Sequence, residues 1–71
     1  MDYTVIYEET PTGFSAYLPD LPGWVAAGAT RREVERLIRS AVEMHLAGMR
    51  EDGELLPSPS TWADTVTVAR G

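Results

Sequence analysis

The stretch TRREVERLIRSAVEMHLAGMREDG, residues 30–53, decides the fold. Val34, Leu37, Ile38, Ala41, Val42, His45, Leu46 and Met49 recur at spacings of three and four, the signature of an amphipathic helix. Thr30-Arg31-Arg32-Glu33 fits a capping box at its start, with Thr30 as N-cap and Glu33 reaching back to the Thr30 amide. The helix is expected to run to about Asp52, with Gly53 as its left-handed stop. Gly48 costs ~1 kcal/mol relative to alanine, so either it packs against something close or the helix frays before it.

Upstream, the period changes from about 3.6 to 2. Tyr3-Thr4-Val5-Ile6-Tyr7-Glu8 is β-branched and aromatic, a first strand with Tyr3, Val5 and Tyr7 on one face. Glu9 to Gly13 is a turn by composition, and Phe14 to Leu18 alternates as a second strand, closing a hairpin. Pro19-Asp20-Leu21-Pro22-Gly23 cannot continue a sheet interior, because its two prolines lack ladder donors; Pro22-Gly23 suits the central pair of a type II turn. Trp24 to Gly28 is a third strand, mostly of small residues on which a helix can rest closely. Downstream, Leu55 to Ser60 is a proline-stiffened connector, and Thr61 to Ala69 alternates Val66 and Val68 with Thr65 and Thr67 as a fourth strand. The expected architecture is α+β, in the order β-β-β-α-β, with a small sheet and one long helix packed across one face. All 71 residues form one domain.

So short a chain buries only about 60% of its unfolded surface, and small domains commonly add disulfides, a metal or self-association. The sequence has no cysteine and one histidine, His45, so a Cys/His zinc site cannot be built in one copy. A homo-oligomer, dimer or tetramer, is the expected remedy. The N-terminus lacks the basic and apolar regions of a signal peptide and no apolar run approaches a bilayer span, which makes the cytoplasm the expected compartment and a membrane role unexpected. The net charge of −5 opposes direct nucleic-acid binding. It is unevenly spread: residues 1–30 carry −4, residues 31–50 carry +2 and residues 51–71 carry −3.

Gly13-Phe14-Ser15-Ala16-Tyr17-Leu18-Pro19-Asp20-Leu21-Pro22-Gly23, followed by Gly28-Ala29-Thr30, Glu33 and the long helix, resembles the HicB-like antitoxin domain. The Arg50–Glu54 stretch and the Pro57-Ser58-Pro59-Ser60 connector extend the resemblance over nearly the whole chain. It implies a β-β-β-α-β fold, partly like RNase H, and a protein that binds and silences a small mRNA-cleaving toxin of the HicA type. Two departures stand out. Trp24 occupies a position where that family often has cysteine, and nothing after the fourth strand provides the C-terminal DNA-binding module that many members carry, so direct operator binding is not expected. The alternative to an antitoxin is an orphan homo-oligomeric structural or regulatory domain without a toxin partner.

Catalysis is not expected. Asp2, Glu8, Glu9, Asp20, Asp52 and Asp64 form no compact motif of the kind that holds two metal ions, and read as solvated acids. His45 with Ser40 lacks an orienting acid and reads as a core-edge or interface side chain. There is no glycine-rich phosphate loop and no cofactor is expected. The candidate contact residues are Arg32, Arg36, Arg39 and Trp24. The arginines fall at i, i+4 and i+7 on one helix face, which reads equally as a solvated face; Trp24, like Trp62, reads first as core. Arg31 and Arg32 also stand in the first helical turn, where the dipole disfavours cations by ~0.3–1 kcal/mol. That broken local rule marks the stripe as a candidate surface for acidic groups of another protomer or partner.

Overall fold

The computed structural model of the chain describes residues 1–70. Three antiparallel strands, β1 (Ile6–Thr10), β2 (Gly13–Tyr17) and β3 (Val25–Gly28), form a sheet in the order β1-β2-β3. One helix follows, α1 (Arg31–Glu51). The α+β class and the β-β-β-α order are those expected.

The hairpin turns on Pro11 and Thr12, pairing Thr10 with Gly13 and Ile6 with Tyr17. Gly13 is obligatory for space: a Cβ there would lie 2.2 Å from the Gly28 carbonyl oxygen. β1 begins at Ile6 rather than at Tyr3. Continuing the register would set Thr4 opposite Pro19, which has no N–H to give, and the Leu18 carbonyl is already taken by the Leu21 amide at 3.1 Å. Leu21 to Trp24 make the expected type II turn, closed by Trp24 N–H to the Leu21 carbonyl at 3.2 Å, with Gly23 at φ 89°.

The helix starts as its residues dictate. Thr30 is extended, and its hydroxyl accepts from the Glu33 amide at 3.1 Å. The return bond goes one residue earlier than expected, Glu33 Oε2 accepting from the Ala29 amide at 3.4 Å. At the other end Glu54 N–H bonds the Met49 carbonyl and Gly53 N–H the Arg50 carbonyl, a Schellman closure with Gly53 at φ 72°. The helix does not fray at Gly48, and nothing packs within 4 Å of where its Cβ would be.

Ala16, Leu18, Leu21, Val34 and Ile38 form the buried core, flanked by Tyr3, Val5, Phe14, Trp24, Ala26 and Val42. The helix packs on β2 and β3 but not on β1. The other sheet face is bare: the register sets Ile6, Tyr17 and Val25 side by side across the three strands, with Val25 68% exposed.

The fourth strand is not formed within this chain. Residues 54–70 belong to no strand or helix, and those from Trp62 onward are all exposed. Trp62, expected in the core, is 84% exposed, and Val66 and Val68 are nearly as open. A strand needs a ladder partner as well as an alternating sequence. Residues 62–70 find none within their own fold.

Candidate functional site

Four features of the surface bear on contact. The first is a clasp that sequence reasoning missed. Asp20, expected as a solvated acid, accepts four hydrogen bonds from residues 40 and 41 positions away. Its Oδ2 takes the Ser60 and Thr61 amides at 3.1 and 3.2 Å, and its Oδ1 takes the Ser60 and Thr61 hydroxyls at 2.9 and 2.8 Å. Donation by the Thr61 hydroxyl, and then by the Ser60 amide, lowers the Asp20 pKa from its ordinary 3.8. Two further bonds fix the same segment: the Thr4 hydroxyl donates to the Thr61 carbonyl, and the Tyr3 hydroxyl to the Pro57 carbonyl. The connector is thereby tied to both the N-terminal segment and the turn before β3.

The second feature is a groove of about 400 Å³ between the helix and the N-terminal segment that precedes β1. Met1, Asp2, Tyr3 and Val5 line it from the N-terminal segment, Leu18 from the turn that follows β2, and Ile38, Val42 and Leu46 from the helix. Arg39 and Glu43 add one charge of each sign.

The third is the arginine face. Arg32, Arg36 and Arg39 are exposed and line one shallow surface with Glu35, Ser40 and Glu43. Arg39 is shared with the groove. Arg31 lies apart, lining a shallow depression together with Glu8, Glu9, Tyr7 and Phe14, so acidic residues of β1 share the surface of the cation that the helix dipole disfavours.

The fourth is Trp24. It is half-buried against the core and its ring stacks on His45, with centroids 4.6 Å apart and planes tilted by 30°. His45 is thereby an exposed side chain capping an aromatic contact rather than a core group. At roughly 100° per residue, His45 stands on the opposite side of the helix from the three arginines. Trp24 and the arginine face are therefore not one patch. Among the described residues, no three His, Asp or Glu side chains gather where they could hold a metal ion.

The model of the HicB-like antitoxins of bacterial toxin–antitoxin systems matches residues 3–69, almost the full length. The chain belongs to the HicB-like antitoxin family. Among the curated relatives of this HicB-like chain is an uncharacterized 14.9 kDa protein from the rep-hol intergenic region of Haemophilus phage HP1 (strain HP1c1). It is 37% identical over 57 residues, which are 80% of this chain and 43% of the phage protein. The chain thus spans less than half the length of the curated relative it matches. No solved structure matches it. No helix among the described residues is long and apolar enough to cross a membrane.

Only two of the four features had a sequence signal. The arginine face and Trp24 were legible from helical spacing and residue type. The Asp20 clasp and the groove join segments distant in the chain, and have no local pattern to announce them.

Proposed function

We propose that this HicB-like domain is the antitoxin module of a toxin–antitoxin pair, binding a small, basic, mRNA-cleaving toxin of the HicA type and holding it inactive. The match of the HicB-like antitoxin model across residues 3–69 carries this reading. The surface chemistry supports it. A net charge of −5 favours a cationic protein partner over nucleic acid, and opposite charge speeds encounter. The sheet face of Ile6, Tyr17 and Val25, the Trp24–His45 stack and the arginine face all offer groups for contact, and no gathered acid cluster offers a metal-dependent reaction. Silencing by contact needs no chemistry of the antitoxin's own: covering the toxin's RNA-binding surface is enough.

The test is to look beside this chain's gene for a reading frame encoding a small basic protein, purify its product and follow its cleavage of mRNA as the chain is titrated in. Cleavage should stop near a stoichiometric ratio, with a stable complex on gel filtration. Undiminished cleavage and separate elution would leave the orphan homo-oligomeric domain as the better reading, which the unpaired residues 62–69 favour on their own.

A further inference from the structure

From the unpaired residues 62–69 we infer that the chain dimerises by exchanging this arm, each copy laying it as a fourth strand along the free β1 edge of the other. The inference is independent of whether a toxin partner exists. The arm has the composition of a strand: Trp62, Val66 and Val68 share one face with Asp64, and Ala63, Thr65, Thr67 and Ala69 the other. Every residue of it is exposed, which no folded monomer gains from. Its root is fixed, because Asp20 and Thr4 hold Thr61, so the arm is aimed by the body of the domain and leaves it. The dimensions record that projection. The longest extent is 54 Å and the radius of gyration 14.5 Å, whereas a compact chain of this length has about 11 Å.

The receptor is present on the same chain. β1 is an edge strand with one side unpaired, and an unpaired edge is a template for another chain. The helix packs on β2 and β3 and leaves β1 uncovered, and the open groove under Ile38, Val42 and Leu46 is lined on its other side by Met1, Asp2, Tyr3 and Val5, the segment that leads into β1. A strand added along β1 and continued past its N-terminal end would turn one of its faces toward that groove. Trp62, Val66 and Val68 supply apolar groups for it, and Asp64 a charge to meet Arg39 at its margin. Eight residues at about 3.3 Å each span roughly 26 Å, enough to pair with all of β1. The exchange is reciprocal, so a two-fold dimer closes and neither arm is left free to recruit a third copy. Each copy then completes the four-stranded sheet that its own sequence encodes.

Sedimentation equilibrium of the full chain tests this, with two variants. The chain should show twice the 7.8 kDa monomer mass. Thr65→Pro combined with Val66→Pro removes one N–H from each side of the arm, and should return the mass to that of a monomer while the helical circular dichroism stays unchanged. In Trp24→Phe, Trp62 is the sole tryptophan, and its emission should be blue-shifted in the dimer and shift to the red on dilution. A wild-type chain of monomer mass, a dimer indifferent to the two prolines, or a Trp62 emission that is water-exposed at dimer concentrations would each overturn the exchange.

Discussion

Asp20 grips Thr61 at two points, one carboxylate oxygen accepting its amide at 3.2 Å and the other its hydroxyl at 2.8 Å. The bond joins the turn before β3 to a segment that follows the helix, and it is what sets the direction of residues 62–69. Two consecutive residues each present an amide and a hydroxyl, and a short carboxylate with two oxygens is the side chain that satisfies all four donors.

Asp20→Asn is therefore expected to loosen the arm without unfolding the domain. The amide keeps one acceptor oxygen and turns a donor toward groups that are themselves donors. Hydrogen exchange at the Ser60 and Thr61 amides should lose its protection, while amides of β2 and the helix keep theirs. Protection retained at both residues would show that Thr4 and Tyr3 hold the connector without the carboxylate.

The same clasp makes a pH prediction. Hydrogen bonds from Thr61 and Ser60 hold the Asp20 pKa below 3.8, so protons bind more readily to the open form than to the closed one. The clasp is fully present above 3.8 and is lost as the pH falls through the lowered value, beneath 3.8. Titration followed by the Ser60 and Thr61 amide shifts should show one transition there, absent in Asp20→Asn. A transition at or above 3.8 would contradict the assignment.

Gly48→Ala should stabilise the domain by ~1 kcal/mol, because the position is helical and the space for a Cβ is empty. For a domain of this size that is a rise in Tm of about 4–8 °C. A fall instead would reveal that something approaches Gly48 in the assembled protein.

Ile38 and Leu37 are adjacent in sequence and differ in exposure, 1% against 40%. Ile38→Ala empties the centre of a core with five buried side chains and should cost about 2–5 kcal/mol. A 71-residue domain commands on the order of 4–10 kcal/mol in total, so the variant should be partly unfolded near its physiological temperature. Leu37→Ala should cost less than half as much. Comparable losses in urea melts would mean that Leu37 is covered in solution by a second chain.

What was readable from the sequence follows from the range of each interaction. The helix was legible because cap, period and stop all lie within residues 30–53, and the turn at Pro22-Gly23 because its geometry is local. Alternation at Trp62 to Ala69 reports a preference for extended backbone, and says nothing of whose edge completes the ladder. The start of β1 shifted to Ile6 because pairing depends on Pro19, a residue of a different strand's end. The Asp20 clasp spans 40 residues, and no single stretch encodes it.

Arg32, Arg36 and Arg39 give the last test, because the fold makes no evident use of them. All three are exposed on one helix face, so replacing them together by glutamine should change stability by no more than about 0.5 kcal/mol. Arg31 is left out of the set, since it lines a separate depression with Glu8 and Glu9. If the face meets acidic groups of a protein partner, the triple variant should bind that partner about tenfold more weakly, and the difference should shrink as salt rises, because exposed charge pairs are screened. Arm exchange rests chiefly on backbone hydrogen bonds and apolar burial, with the Asp64–Arg39 pair only at the exposed margin of the groove, so the dimer mass by light scattering should survive the same substitutions. Unchanged affinity together with unchanged mass would identify the arginines as a solvated face, and would move the search for the partner's footprint to the sheet surface of Ile6, Tyr17 and Val25.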